Sequence, residues 1–395
     1  MIDKQFFISS CDDMELGIKR NSKLEYRLSS PQNPKAIFFI IGGFGTNTDL
    51  RMMDFTRKQI ASKFGVAAVN VLYHCFCCRV NNLEQQYSAQ IAILEEDKAN
   101  LIKLCQDVGL PYANLTSTEA LKFIEESIQK EKKKGNLAKD FRINTLTYTL
   151  LPPNEEYQNY GIMAALDHIN VLKDLKTHGG GGGGGGNLPV IYGGGCYGGY
   201  LAHLVAKIAP HHTNAVIDIA CAPLPFFEMF MGRTLGHGEF FINTDDFSSH
   251  CFTKTFWNEN NFTKAHYEIR SLLTPSHLQI QKTHCGHIHY VSYHSSEDEF
   301  ETAKDKKLLY EIYEKMGFKA KLHLAKKEDI DHKIIRDLTH GGISNHRVFL
   351  KELPFLLKKF EGGKFPLQNA SISYPCEDKI FTFKDEGEAY CLRLD

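Results

Sequence analysis

One cysteine sits where its neighbours would let it do chemistry. Cys196 lies in Gly194-Gly195-Cys196-Tyr197-Gly198, behind the short apolar run Leu188 to Tyr192. Ahead of it, apolar residues fall at 201, 202, 204, 205, 208 and 209, which is helical spacing. The pattern is strand, tight glycine turn, helix, with one nucleophile-capable side chain at the apex. That is the form of a nucleophile elbow, G-x-S-x-G, with cysteine in the serine position. The residues two before and two after the nucleophile must lack side chains so that strand and helix can approach, and Gly194 and Gly198 hold those places. A helix N-terminus aimed at Cys196 favours a thiolate. The competing readings are an inert cysteine in a glycine-rich turn and a phosphate-binding loop. The Gly-Lys-Ser/Thr of a Walker loop is absent, and Gly193 to Gly198 matches a dinucleotide turn only loosely.

The elements that would carry this turn follow from the rest of the chain. Ala36 to Ile41 reads as a buried strand ending in Gly42-Gly-Phe-Gly45. Asp49 is placed to cap a helix through Met52, Phe55, Ile60 and Phe64 that Gly65 closes, and Val66 to Leu72 is a second buried strand. Strand, helix, strand at this spacing predicts a βαβ unit and a parallel sheet. Upstream, Lys23 to Leu28 alternates like a half-exposed strand.

Residues 82–109 and 117–134 have helical patterning, so about 80–150 reads as an inserted helical lid or cap. A helix over Tyr157 to Leu175 leads back toward the sheet. Eight glycines, 179–186, predict a flexible, exposed connector. Beyond the elbow, strands are expected at 215–220, 287–292 and 320–325. Helices are expected at 262–273, 302–316 and 345–360, with a β-rich extension over 362–395. The loop Leu338-Thr-His-Gly-Gly342 precedes the last of these helices.

Composition sets the bounds. In 395 residues, 43% are hydrophobic, 24% are charged and the net charge is -1, an ordinary globular balance. It offers no electrostatic case for nucleic acid or an anionic membrane. The start lacks a signal-peptide pattern and no stretch approaches a membrane span, so a cytoplasmic protein is expected. Eleven cysteines, odd in number and scattered, read as mostly free thiols.

Neither a metal nor a cofactor is expected. The run His74-Cys-Phe-Cys-Cys78 lacks a second Cys/His pair at finger spacing and reads as buried small hydrophobes. Cys285, His287 and His289 would share one face of a strand, where hydrogen-bonded histidines are the more frequent outcome. Trp257 reads as packing, with Phe252, Phe256 and Phe262 as candidates for an apolar pocket wall.

The order of elements resembles the α/β-hydrolase fold over about residues 30–360: a mostly parallel central sheet with helices on both faces. The residues that carry the likeness are the Gly42-Gly-Phe-Gly45 loop, the elbow, the acidic turn His294-Ser-Ser-Glu-Asp-Glu-Phe300 and the histidine loop 338–344. The chain looks closest to the prolyl-oligopeptidase and dienelactone-hydrolase branches. Gly193 to Ala202 and Leu338 to Ser344 also look like a bacterial group of that superfamily without a settled substrate.

The resemblance implies Cys196 as nucleophile, His340 as general base and acid, and Asp298 as the residue orienting His340, in the chain order this fold uses. It implies an oxyanion hole from the backbone N–H groups of Tyr197 and Phe44. Two features depart from the pattern: cysteine replaces the common serine, and Lys326 to Asp337 must be an insertion before His340. Glu297 and Asp218 are alternative acids, and His332 and His346 are alternative bases. The function implied is an acyl hydrolase, esterase- or thioesterase-like, acting on a small-molecule acyl or ester substrate through a thioacyl-enzyme. The alternatives are an acyltransferase with the same triad and an inactive binding module of the same fold.

Overall fold

The structure is a computed structural model that describes residues 1–107, 109–110, 117–178, 185–225 and 227–395. The chain forms two compact units. The first comprises Met1–Phe76, Asn159–Pro225 and Phe262–Asp395, and the second comprises Cys77–Gln158 and Phe226–Asn261.

The first unit is built on eight strands: β1 (Ile2–Ile8), β2 (Leu24–Ser30), β3 (Ile37–Ile41), β4 (Ala67–Leu72), β5 (Val190–Gly195), β6 (Ala215–Ile219), β7 (His289–Ser295) and β8 (Lys319–Ala325). They lie in the order β1-β2-β4-β3-β5-β6-β7-β8. Only β2 runs against its neighbours; every pairing from β4 through β3 to β8 is parallel. This is the α/β-hydrolase fold, with mixed α/β layers around one large sheet. The sequences of β3 (IFFII) and β6 (AVIDI) are buried at every position, as strands covered on both faces must be.

Seven helices of this unit are α1 (Leu50–Phe64), α2 (Ile162–His178), α3 (Tyr197–Ile208), α4 (Lys264–Arg270), α5 (Pro275–Cys285), α6 (Ala303–Lys315) and α7 (Asn345–Phe360). The side chain of Asp49 caps α1 by accepting from the Met52 amide, and Gly65, at φ 66°, ends it. Helix α3 is buried from Gly198 to Ile208, so it is apolar on nearly every side rather than along one stripe. One core cluster joins Phe38, Ile191, Ile217 and Tyr293 of the sheet to Val348, Phe349 and Leu353 of α7. Three further strands, β9 (Ser371–Cys376), β10 (Lys379–Glu386) and β11 (Ala389–Leu394), make a separate antiparallel sheet.

The second unit has its own four-stranded sheet, ordered Gln90–Ala92, Ile143–Leu151, Phe247–Thr253, Phe240–Asn243. Its helices are Glu95–Asp107, Ser117–Lys134 and Phe227–Leu235. Leu101, Cys105, Ile124 and Ile128 of the first two pack against Leu146, Tyr148, Phe247 and Cys251 of the sheet. The stretch expected to be a helical insertion therefore also carries strands. Ile143–Leu151 lies between Gln90–Ala92 and a strand about a hundred positions later, pairings that local patterning does not register.

Other expectations change as well. β2 is buried at six of seven positions, not half exposed, because it lies between β1 and β4. Helix α2 starts at Ile162 rather than Tyr157, after Gly161 at φ 124°. The expected helix 262–273 is the shorter α4, and α5 follows it. Pro275 occupies the first turn of α5, and that helix runs through Cys285. Cys285, His287 and His289 hence do not share a strand face, which removes the reason for reading them as a ligand set. Cys75 stands at φ 60° after β4, so His74 to Cys78 is a turn rather than a strand. The glycine connector falls, over 179–184, outside the described residues. Among the described residues, no helix is long and apolar enough to cross a membrane.

The core assignment gives a direct test on α7. Phe349 is 2% exposed and Phe355, six residues on, is 68% exposed. Phe349→Ala should cost about 3–5 kcal/mol in urea unfolding. Phe355→Ala should stay within about 0.5 kcal/mol of the wild type.

Candidate active site

The bend at Cys196 is forced by backbone contact. Cys196 has φ 53° and ψ -126°, a conformation that side chains rarely adopt, and its amide is held by the Ile219 carbonyl at 2.8 Å. A Cβ on Gly194 would lie 2.4 Å from the Gly198 carbonyl carbon, and one on Gly198 would lie 2.3 Å from the Ile41 carbonyl oxygen. Neither position accepts a larger residue without moving main chain. Of the eleven cysteines, nine are buried; Cys196 and Cys391 are half-buried.

His340 arrives from the loop between β8 and α7. Its Nδ1 lies 3.0 and 2.9 Å from the two carboxylate oxygens of Asp298. The Cys196 sulfur acts on the same ring, and together with Asp298 it raises the proton affinity of the imidazole. The structure thus brings Cys196, His340 and Asp298 together, in that order of contact. The insertion expected before His340 is a tied loop. Asp331 accepts from the amides of Lys333, Ile334 and Ile335, and Ile335 bridges to Ile343.

Two further contacts fix the histidine loop to the acid turn: Ser295 Oγ donates to the Leu338 carbonyl at 2.6 Å, and the His340 amide donates to Glu299 at 3.0 Å. Asp298 also accepts from the amides of Phe300 and Glu301, at 3.0 and 2.8 Å.

The Gly42-Gly-Phe-Gly45 loop reaches the same place. A Cβ on Gly43 would lie 3.2 Å from the Gly195 carbonyl oxygen and 3.9 Å from Cys196 Cβ. The ring of Phe44 stacks on that of Tyr197 at 4.0 Å between centroids.

The alternatives lie elsewhere. His340 bonds Asp298 rather than Glu297. Asp218 is buried and engaged with His203 and Lys306, at 2.7 and 2.8 Å. His332 stands at φ 56° in the loop before His340, and His346 is on the first turn of α7.

Charge follows from these contacts. The Asp298 carboxylate bonded to Nδ1, followed by the Cys196 sulfur, holds His340 up to about 10, against burial, which pulls it down. Burial pushes the Asp298 carboxyl up, but His340 and the Glu301 and Phe300 amides outweigh it and hold it below the usual carboxylate range. Glu301, three residues on, is pushed up to about 8 by burial, so it is largely uncharged at neutral pH beside that pair.

Sequence reasoning did not single out four nearby residues. Glu301 and Glu299 belong to the acidic run 297–301, whose density was the available signal. Phe300 sets its ring edge-on to His340 at 5.5 Å while remaining 68% exposed. Asn345 fills the space beside Gly195, where a Cβ would meet its amide at 2.2 Å.

The raised His340 value fixes a pH dependence of stability. A group whose folded value lies above its unfolded one of 6.5 stabilises fully below 6.5 and loses that contribution as pH rises through about 10. Asp298, held low, is still charged across that range. The unfolding free-energy difference between wild type and His340→Gln should therefore be largest near about pH 6 and shrink toward about pH 10. A difference that stays flat or grows across this interval contradicts the assignment.

Comparison with known proteins adds a family and a set of distant structural likenesses. Among solved structures, the chain is similar to the Pyrococcus horikoshii acylaminoacyl peptidase, with 12% identity and a TM-score of 0.40. That match covers 93% of this chain and 42% of the peptidase, so this chain spans less than half of the peptidase's length. It is also similar to the apo form of Thermogutta terrifontis esterase 2, with 11% identity and a TM-score of 0.43, covering 93% and 96% of the two chains. No curated protein matches the sequence. Over residues 4–394 the sequence matches the family described as "Protein of unknown function (DUF2920)", and the chain belongs to that family.

Proposed function

We propose that the protein is an acyl hydrolase, esterase- or thioesterase-like, that works through a thioacyl-enzyme on Cys196. The observation that carries this reading is the contact chain at one bend. A half-buried cysteine at a strained apex stands within electrostatic reach of a histidine whose Nδ1 is held at 2.9 Å by a buried carboxylate. Such an arrangement serves nucleophilic acyl transfer because each member supplies what the next lacks.

In the first half-reaction Cys196 Sγ attacks the substrate carbonyl with its proton already held on His340, whose raised value keeps it on the ring near neutral pH. A carbon–sulfur bond forms and the carbonyl π pair moves to oxygen. The amides of Tyr197 and Phe44 donate to that oxyanion, whose charge exists only in the transition state and the intermediate. Collapse breaks the bond to the alcohol or thiol, which leaves with the proton from His340. In the second half-reaction His340, left neutral by the first, takes a proton from water, the hydroxide attacks the thioester, and the acid departs as the carbon–sulfur bond breaks, the proton staying on His340 beside the freed sulfur. Asp298 keeps His340 in the tautomer and orientation that both halves need.

The exposed ring of Phe300 beside His340 gives the acyl or leaving group an apolar surface on one side of the reacting atoms.

Hydrolysis of p-nitrophenyl acetate tests the proposal. Wild type should turn over and leave an acetyl adduct on the peptide containing Cys196, trapped on acid quench. Cys196→Ala should lose about a hundredfold or more of kcat/KM, with its thermal unfolding midpoint unchanged. Asp298→Asn should lose about 10²- to 10⁴-fold, mostly in kcat, through the wrong histidine tautomer. Undiminished turnover in Cys196→Ala, or an adduct on another cysteine alone, would overturn the assignment.

A further inference from the structure

Among the described residues, two places in the first unit gather histidine with aspartate, one of them with cysteine as well, closely enough to hold a cation. In one, His203, Asp218 and Cys221, the protein supplies its own cation. The Lys306 ammonium lies 2.8 Å from both Asp218 Oδ1 and Cys221 Sγ, and His203 Nε2 lies 2.7 Å from Asp218 Oδ2. A metal there would have to displace a buried lysine.

The other place is different. His211 and His212 belong to the short turn Pro210–His212 that follows α3, and Asp385 is on β10. One ring nitrogen from each histidine and one Asp385 oxygen all lie within 4.8 Å of one another. Nε2 of His211 and Nε2 of His212 are both shut off from solvent, with no hydrogen-bond partner among the described residues. The His212 side chain is only 2% exposed. Buried polar nitrogens are normally paired, so two orphans side by side, 4.3 Å between ring centroids, require an explanation.

The carboxylate is already oriented toward them. Asp385 Oδ1 accepts from Lys173 at 2.6 Å, and Oδ2 accepts from the Ala370 amide at 3.1 Å. That same Oδ2 stands 3.5 Å from His212 Nε2, beyond a good hydrogen bond. It is close to the edge of about 3.3 Å expected of a tetrahedron with metal–ligand bonds near 2.0 Å.

We propose that His211, His212 and Asp385 form a zinc site, with water as the fourth ligand. Two imidazoles and one carboxylate suit a borderline-soft divalent ion. Lys173 and the Ala370 amide are the outer partners that fix the carboxylate.

The site is structural. It lies at the far end of α3 from Cys196, twelve residues or about 18 Å away. The ion would fasten the sheet β9-β10-β11 to the end of the elbow helix. Tyr390 of β11 already bonds the Ile208 carbonyl there at 2.6 Å.

The test uses the full chain, stripped with EDTA, desalted and reloaded with zinc sulfate alone. One equivalent of zinc should survive gel filtration, and the thermal midpoint should rise on reloading. The cobalt(II) form should show d–d bands without a thiolate charge-transfer band, because no cysteine is a ligand. His211→Gln and His212→Gln should each weaken zinc binding by about tenfold or more. Cys196→Ala, which removes the only thiol of the proposed active site, should bind zinc as wild type does. His211 is half exposed, so its variant keeps the test decisive if His212→Gln does not fold. No retained zinc in wild type, wild-type affinity in His211→Gln, or a thiolate band in the cobalt form would each overturn the proposal.

Discussion

Everything at the candidate site depends on how closely three stretches of main chain approach one another. The end of β5, the start of α3 and the loop after β3 meet closely: Gly194 on Gly198 and Gly198 on Ile41 leave gaps that admit hydrogen but not a methyl group, and Gly43 comes nearly as tight on Gly195. That approach imposes a positive φ on Cys196, and the rest of the fold must hold it there, since a non-glycine residue gains nothing locally from such a conformation. The restraint comes from burial. β5 is enclosed between β3 and β6, and α3 has almost no exposed residue after Tyr197. Relaxing the bend would mean unpacking the centre of the sheet.

Beneath the elbow lies a second set of constraints, ionic rather than steric. Asp218, at the end of β6, would be costly as an isolated buried charge. Lys306 of α6 and His203 of α3 lower that cost and, in doing so, link three elements at one carboxylate. Burial pushes Asp218 up and these two partners outweigh it, holding it well below the usual carboxylate range. A Cβ on Gly199 would meet both Cys221 and Asp218, so this ionic cluster is packed directly against the first turn of the elbow helix. An acid that sequence order offered as a partner for His340 is thus committed to holding the scaffold.

What could be read from the sequence, and what could not, divides along the same physical line. Cys196 with its flanking glycines, the Asp49 cap and the Gly65 stop are local: the residues that make the geometry are adjacent to the residue that needs it. The α/β-hydrolase order of elements was legible for the same reason, since each strand and helix has its own period. Burial was less legible, because it depends on strands distant in sequence. β2 alternates like a surface strand, yet it has neighbours on both sides. Ile143–Leu151 was hidden because its partner Phe247–Thr253 lies about a hundred residues on. The presumed strand face of Cys285, His287 and His289 failed because Pro275 starts a helix that runs through the first of them. Asn345 beside Gly195, Lys306 on Asp218 and Phe300 against His340 exist only once the chain has folded. No residue type announces them.

The acid turn and the histidine loop are joined by the imidazole–carboxylate contact, by Ser295 on the Leu338 carbonyl and by Glu299 on the His340 amide. Three attachments at different points on two short segments remove the freedom of one to rotate or slide against the other. Imidazole and carboxylate are therefore expected to travel as a single rigid piece. The one adjustable gap in the relay is then the span between that piece and the sulfur. Thermal motion or a bound substrate would tune the proton's path across it by shifting the bend, with the ring itself fixed.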